Sequence, residues 1–197
     1  MCNLMQTVGP TTTTAVSSSD RPHPAKRYDV RAATILDAPA IAEIHNQYVA
    51  AGPYTMEESR WTAVGVKTML SHASDREAML VCVDSAALDQ QNDVVGWAKI
   101  KHYSDRAGYR VACESSVYVD RRVRGCGVGD LLLCDLLHVA KRLNYRHVTA
   151  RIIVGNRPSI RLHLKHGFTA VGVQNGIGVI DGQPADVLLM QHTDQLN

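Results

Sequence analysis

Short apolar runs alternate along the chain with stretches whose apolar residues recur at helical spacing. The apolar runs predict strands over 28–33, 78–83, 94–100, 109–119, 147–154, 168–173 and 185–191. Helical spacing predicts helices over 37–50, 64–72, 130 to about 143, and 158–166. This order of elements predicts an α/β fold, a mixed and mostly antiparallel sheet with helices on both faces.

Local signals mark where several of these elements begin and end. Thr34 and Asp37 stand three apart, as in a capping box, and Gly52 ends the first helix. Gly167 suits the position just after the last helix. The polar stretch 84–93 is expected to connect two strands as a hairpin, and a β-bulge is expected at Ser115-Ser116.

Length and composition limit the classes of protein. The 197 residues fit one domain plus a tail, and residues 1–27 contain runs of Thr and Ser with little to bury. We therefore expect a disordered tail over 1–27, a folded domain over 28–192 and a short tail over 193–197. The formal net charge of +2 gives no reason to expect nucleic-acid or membrane binding.

Cysteine usage and the start of the chain bear on location. The five cysteines are scattered without a CxxC pair, which predicts free thiols and no metal site. Residues 1–20 carry no Lys or Arg, unlike a secretory signal, and no stretch reaches the roughly 18 apolar residues of a membrane span. A cytoplasmic location is the resulting expectation.

The segment 117–137 contains the strongest functional signal. A strand ending at Val119 is followed by a turn with three glycines at alternate positions and then by a helix. Such a turn builds a helix N-terminus whose bare N–H groups bind anions. A P-loop is excluded because Asp130 and Leu131 follow Gly129, and the dinucleotide fingerprint G-x-G-x-x-G is missing. A pyrophosphate loop of the Arg-x-x-Gly-x-Gly type and a purely structural glycine turn both remain open.

Four stretches together resemble the GNAT acetyltransferase superfamily and, within it, the phosphinothricin and methionine sulfoximine N-acetyltransferases. They are Ile44-His45-Asn46-Gln47-Tyr48, the segment 109–119 ending in Glu114-Ser115-Ser116-Val117-Tyr118-Val119, the glycine loop 124–129, and Asn156-Arg157-Pro158-Ser159 through Phe168. Their order and spacing fit across residues 28–191. The resemblance implies a GNAT fold and acetyl-CoA as the acetyl donor.

The resemblance also implies a set of donor-binding residues. Arg124 and the loop would hold the pyrophosphate, while Asn156 and the backbone of the last β-strand residues before the loop would hold the pantetheine arm. Asn156 equally suits a turn, and Cys126 is interpreted as a spacer. The full set is Val117, Tyr118, Val119, Arg124, Gly125, Cys126, Gly127, Val128, Gly129, Asn156 and Ser159.

Two residues are candidates for proton transfer. Glu114 matches the Glu of the family's Glu-Ser-x-Val-Tyr motif and is expected to act as general base; a strand-edge Glu paired with an Arg is the alternative. The resemblance implies that His163 protonates the departing thiolate, and helix packing is its alternative role. His163 and His166 lack a third ligand for a metal.

The acceptor side departs from the family. Tyr103 is followed by Ser104 where relatives often carry an Arg, and the family's late Gly-Arg-Trp segment is replaced by residues 181–186. An amino-acid carboxylate favours a bidentate Arg, and Arg106 is the nearest candidate. The expected acceptor-binding residues are Tyr54, Tyr103, Arg106 and Tyr109.

The resulting prediction is a small-molecule N-acetyltransferase. It would transfer acetyl directly from acetyl-CoA, in a ternary complex, to the primary amine of an amino acid or an analogue of the phosphinothricin and methionine sulfoximine type. A protein or peptide acetyltransferase and a noncatalytic acyl-CoA-binding module are the alternatives. The resemblance further implies a homodimer.

Overall fold

The computed structural model describes residues 27–86 and 94–193 as one mixed α/β unit. The strands are β1 Tyr28–Ala32, β2 Ala78–Asp84, β3 Val94–His102, β4 Ala112–Val119, β5 His147–Ile153, β6 Thr169–Ile180 and β7 Gln183–Thr193. The helices are α1 Ala38–Ala50, α2 Ala63–Ser71, α3 Val128–Arg142 and α4 Arg157–Lys165. Most of the predicted tails and of the 84–93 connection lies outside the described residues; of the tail residues, Arg27 is described and pairs with Asp84, and Thr193 belongs to β7.

All seven strands form one sheet in the order β1-β2-β3-β4-β5-β7-β6. Every neighbouring pair is antiparallel except β4 and β5, which run parallel. Helices α1 and α2 cover one face and α3 covers the other. The predicted fold class, a mostly antiparallel mixed sheet with helices on both faces, is confirmed.

The sheet has a hydrophobic core on each face, because side chains along the central strands point alternately to one face and the other. On β3, Trp97 packs under α1 and α2, whereas Ala98 and Ile100 pack against α3. Because successive side chains of a strand point to opposite faces, an unbroken apolar run serves both layers. The same reasoning places Lys99 on the Trp97 face, where it reaches the site described below.

Several element boundaries differ from the predicted ones. Strand β4 begins at Ala112 and not at Tyr109, because Ala107–Tyr109 forms a short 3₁₀ turn. Helix α3 begins two residues early, with Gly127 at its N-cap. Strands β6 and β7 are longer than predicted and meet at Asp181-Gly182, both with positive φ, which is the geometry of a tight hairpin turn.

The predicted bulge at Ser115-Ser116 is wrong. Pairing of β4 with β3 continues without a register shift from Cys113 to Val119. Pairing of β4 with β5 instead stops after Glu114 and Thr149. The two parallel strands therefore separate at this point, and the gap between them opens toward the carboxyl end of β4.

The capping box at Thr34 is confirmed, with one difference in position. Thr34 accepts a hydrogen bond from Leu36, and the Asp37 carboxylate accepts one from the Thr34 backbone over 2.7 Å. The box closes a single 3₁₀ turn that leads directly into α1. Arg31 of β1 forms a two-bonded ion pair with Asp37, so the box also ties α1 to the sheet edge.

Gly96 is where β3 and α3 pack too closely for a side chain. A Cβ there would lie 2.9 Å from Leu132 Cδ1 and 3.0 Å from the Tyr118 carbonyl oxygen. We predict that Gly96→Ala lowers the free energy of unfolding by about 1–3 kcal/mol, as overpacking does. Gly108→Ala, where no atom lies within 4 Å of the added Cβ, should change it by less than about 0.5 kcal/mol. Urea unfolding of both variants measures this, and equal effects would contradict it.

Candidate active site

The gap between β4 and β5 opens into a cavity of about 1040 Å³. Its walls come from β4, the glycine loop, α4, α1 and the segment between α1 and α2. Most of the predicted site residues lie on this one cavity. They are Tyr54, Glu114, Val117, Tyr118, Val119, Arg124, Gly125, Gly127, Gly129, Asn156, Ser159 and His163.

The edge of β4 offers backbone groups to the gap. The N–H and C=O of Val119 point away from β3 and both bond to the Tyr48 hydroxyl. The N–H donates to the hydroxyl oxygen over 3.0 Å, and the hydroxyl donates to the C=O over 2.8 Å. Backbone groups of alternate residues point to the same side, so those of Val117 also face the gap. A pantetheine arm can therefore pair with Val117, whereas Val119 would first have to give up Tyr48.

The glycine loop presents an uncapped helix N-terminus to the cavity. Gly125 and Gly127 both have φ above +80°, a conformation that strains other residues. Gly127 is the N-cap of α3, and no side chain caps the helix. Its first N–H groups are thus left for an anion, with the positive end of the helix dipole behind them. Val128 is buried in the core, and Cys126 is exposed outside the cavity wall.

Asp120 holds the start of this loop, and sequence reasoning missed it. Its buried carboxylate accepts hydrogen bonds from the Arg122 backbone and guanidinium and from Gln47 of α1. Burial opposes ionisation, but the hydrogen bonds from Arg122 and Gln47 outweigh it and lower the pKa of Asp120. The loop is therefore fixed to α1 by a charged network. The sequence signal that could have identified Asp120 is its position directly after a strand, where an Asp commonly accepts hydrogen bonds from the backbone of the following turn.

Cations surround the loop end of the cavity. The Arg124 guanidinium lies over the Tyr48 ring at 4.7 Å, and Arg161 and Lys165 of α4 line the same end. Lys165 and His166 both contact the Asp130 carboxylate, at 2.8 and 3.1 Å, and these contacts lower its pKa. The pair holds α4 against the first turn of α3. Positive charge at this end suits a polyanionic ligand.

Helix α4 supplies three predicted residues. Asn156 caps it by accepting a hydrogen bond from the Ser159 N–H over 3.2 Å, so its turn-forming role is realised on the cavity wall. His163 is buried, and its Nδ1 lies 2.8 Å from the Ser159 carbonyl oxygen. Since that oxygen can only accept, Nδ1 carries the proton, and Nε2 has no hydrogen-bond partner among the described residues. Burial lowers the pKa of His163, so the ring is neutral with its Nε2 lone pair free.

Glu114 lies where β4 and β5 part, and each of its carboxylate oxygens meets a cation. Oε1 is 3.7 Å from Lys101 Nζ on β3, and Oε2 is 3.2 Å from the Arg151 guanidinium on β5. The side chain is 12% exposed and lines the cavity. The pairing with an Arg that the alternative interpretation predicted is therefore present, and the carboxylate also faces the cavity, as a general base would have to.

The acceptor-side predictions divide. Tyr54 lines the cavity, whereas Tyr103, Arg106 and Tyr109 are exposed and lie outside its lining. Four stacked or tilted rings also line the cavity, and of these only Tyr118 was selected from the sequence. They are His45, Trp61, Trp97 and Tyr118, with His45 stacked 3.8 Å from Trp61 and Trp97 stacked 4.4 Å from Tyr118.

One group of potential metal ligands lies apart from this cavity. Among the described residues, three potential metal ligands converge at Cys134, Asp135 and His138 on α3, none of which lines the cavity. His163 and His166 are not part of that group. No helix in the described part of the chain is long and apolar enough to cross a membrane.

Comparison with known proteins decides the family. Residues 39–168 match the model of the acetyltransferase (GNAT) family. The chain belongs to the GNAT acetyltransferase family. The family transfers acetyl groups from acetyl-CoA to amines, so this GNAT enzyme is an N-acetyltransferase. The uncapped N-terminus of α3 fits the pyrophosphate of acetyl-CoA.

Two relatives and a solved structure define the neighbourhood of this GNAT enzyme. It is 30% identical over 162 residues to L-methionine sulfoximine/L-methionine sulfone acetyltransferase of Salmonella typhimurium, covering 82% of this chain and 92% of the relative. It is 29% identical to phosphinothricin N-acetyltransferase of Alcaligenes faecalis, covering 79% and 77%. The structure of a phosphinothricin acetyltransferase from Sinorhizobium meliloti with acetyl-CoA superposes with a TM-score of 0.76 at 27% identity, covering 85% of this chain and 89% of that one.

Gly127 allows a test of the loop. We predict that Gly127→Ala raises the KM for acetyl-CoA severalfold, because a positive φ disfavours Ala by about 1–2 kcal/mol and the loop would shift. Gly182→Ala in the β6–β7 turn meets a similar positive φ and also has no atom within 4 Å of the added Cβ. It should lose similar stability with an unchanged KM for acetyl-CoA. A rise in KM in both variants would show that strain alone is responsible.

Proposed function

We propose that this enzyme transfers the acetyl group of acetyl-CoA directly to the primary amine of an amino acid or an amino-acid analogue of the phosphinothricin and methionine sulfoximine type. Both substrates would be bound together, and no acetyl-enzyme would form. The proposal rests mainly on Glu114, a carboxylate at the edge of the β4–β5 gap beside the route to the thioester. The two relatives named above support the acceptor class.

Glu114 would remove the proton of the incoming ammonium. Its ion pairs with Lys101 and Arg151 hold the carboxylate in place, and the carboxylate attracts a substrate ammonium, whose charge is opposite to its own. Proximity of an uncharged amine to the thioester then provides most of the rate enhancement. No side-chain nucleophile is required.

The state of His163 changes the role first predicted for it. With Nδ1–H bonded to Ser159 and a lowered pKa, Nε2 begins as an acceptor and cannot at once donate a proton. We therefore assign it a shuttle. Nε2 takes the proton that the attacking nitrogen releases in the tetrahedral intermediate, and returns it to the sulfur as the C–S bond breaks. The products are an amide and free CoA thiol.

The shape of the acceptor end favours a small molecule over a peptide. Met56, from the segment between α1 and α2, lies so close to Gly178 of β6 that an added Cβ would be 2.8 Å from its sulfur. This contact joins the segment to the β6–β7 hairpin beside the cavity. A noncatalytic acyl-CoA-binding module would give no reason for Glu114 and His163 to share one cavity.

Acceptor class and order of reaction are measured together. We expect amine-dependent release of CoA with L-methionine sulfone, phosphinothricin or related amino acids, and intersecting initial-rate lines when both substrates are varied. Polyamines and a histone peptide serve as competing acceptors. Parallel lines or an isolated acetyl-enzyme would contradict direct transfer, peptide turnover would favour the first alternative, and CoA binding without turnover of any amine would favour the second.

Glu114→Gln tests the base. We predict that kcat falls by about 10²–10⁴-fold, the range for loss of general base catalysis, with the KM for acetyl-CoA changed less than threefold. Glu43→Gln, at an exposed position on α1, is the matched control and should leave kcat unchanged. His163→Asn should likewise lower kcat more than it affects the KM for acetyl-CoA. An unchanged kcat in Glu114→Gln would remove Glu114 from the mechanism.

We also propose a homodimer through the outer strand of the sheet. Strand β6 is an edge of the sheet, and an exposed edge of this kind invites pairing with a second copy. Its exposed apolar side chains are Val171, Val173, Ile177 and Val179.

Light scattering should give twice the chain mass for the wild type, and Val173→Lys should shift it toward the monomer. Val64→Lys, at an exposed apolar position on α2, is the control. A wild-type mass of one chain would overturn the dimer.

A further inference from the structure

Lys99 is a half-buried lysine at the acceptor end of the cavity that forms no ion pair with any carboxylate of the described residues. It lines the cavity from β3, on the Trp97 face of the sheet. Its Nζ lies 4.0 Å from the Met69 sulfur and 5.1 Å from the centre of the Trp61 ring. Among the residues that the structure describes, no carboxylate lies within the 4.0 Å of an ion pair.

This arrangement costs stability. A thioether is a weak hydrogen-bond acceptor and a ring face replaces only part of the water that an ammonium loses. Burial, followed by repulsion from Lys101, lowers the pKa of Lys99, and the charges of Glu57, Glu114 and Glu77 offset this only in part. A Met or Leu would pack better here, which indicates that the charge serves a ligand.

The walls around Lys99 are mostly aromatic, and the one carboxylate of the segment between α1 and α2 that lines the cavity, Glu57, makes no ion pair with it among the described residues. His45 is fully buried and stacked on Trp61, and burial lowers its pKa to about 4, so it is neutral. Trp97 is also fully buried, and its indole N–H has no hydrogen-bond partner among the described residues. This end of the cavity therefore combines aromatic rings, polar N–H groups and a lysine that forms no ion pair among the described residues, a composition that suits a small molecule with an acidic group.

Lys99 lies near the proposed base Glu114, on the same face of the sheet. Lys101 pairs with Glu114 across β3 and β4, and Lys99 pairs with Ser116. Lys99 and Glu114 are thus diagonal neighbours on one sheet face, about 7–8 Å apart at the backbone. An amino acid carries its amine and its carboxylate on the same carbon, so it can place the amine at Glu114 and the carboxylate at the Lys99 ammonium.

We propose that Lys99 is the specificity-determining residue of the acceptor site, binding the carboxylate of the amino-acid acceptor through a charge-assisted hydrogen bond. The inference rests on the proposed function and names the residue that selects its substrate class. The other cations are less suited. Lys101 and Arg151 are engaged by Glu114, and Arg106 is exposed outside the cavity lining.

The test compares acids with their amides on the same enzyme variants. L-Methionine sulfone carries the α-carboxylate as its one acidic group, and its α-carboxamide keeps the amine and side chain without that charge. A set of L-amino acids and their amides extends the comparison. We expect Lys99→Met to lower kcat/KM for the acids about 10- to 100-fold, the effect of losing one charge-assisted hydrogen bond, and to leave the amides within threefold.

Matched variants separate this role from folding. Lys99→Arg keeps the charge and should retain most of the preference for acids, and Lys67→Met, at an exposed position on α2, should retain all of it. The KM for acetyl-CoA should not change in any variant. Thermal unfolding of Lys99→Met should occur at the wild-type temperature or above, because a half-buried charge without an ion pair has been removed. If Lys99→Met does not fold, Lys99→Gln replaces it in the same comparison.

Each result has one meaning. Loss of the acid preference in Lys99→Met but not in Lys67→Met supports the proposal. An acid preference that survives Lys99→Met, or an equal loss on acids and amides, overturns the role of Lys99 while the proposed function stands. Turnover of neither acids nor amides by the wild-type enzyme overturns the proposed function, and this inference with it.

Discussion

The separation of β4 from β5 after Glu114 is the constraint on which the site depends. Two parallel strands in the middle of a sheet would normally remain paired, and a gap there leaves backbone groups without partners. Here the Tyr48 hydroxyl compensates by bonding both backbone groups of Val119. The gap is thereby stable, and the groups of Val117 are left for an extended substrate arm. If β4 and β5 remained paired along their whole length, the space between them that opens into the cavity would be lost.

The loop end of the cavity is built mostly from backbone. Positive φ at Gly125 and Gly127 turns the chain so that α3 begins uncapped at the cavity, and Asp120 fixes the turn to α1 through Gln47. Charged side chains then act on this frame, with Arg124 against Tyr48 and Lys165 against Asp130. Preformed N–H groups require little rearrangement when an anion arrives, which is why a short loop can serve as a binding site.

The acceptor end contains two kinds of cation. Two are paired with a carboxylate, and one forms no ion pair among the described residues. Lys101 and Arg151 orient Glu114, whereas Lys99 faces aromatic rings and a thioether. The same strand β3 supplies both kinds of lysine, two residues apart on one face. Their roles differ because the partner strand presents a carboxylate to one and a serine to the other.

The sequence by itself determined the order of elements, the fold class and the position of the glycine turn before α3, because periodicity, glycines and capping residues act over a few neighbouring positions. It also selected Glu114 and His163, but only through a resemblance. It misplaced the start of β4 and put a bulge where two strands part, since pairing between strands distant in sequence has no local signature. Which cations face the acceptor was decided by tertiary structure alone. Arg106 and Lys99 look equally available in the chain, and only the register of β3 with β4 places Lys99 in the cavity and leaves Arg106 outside it.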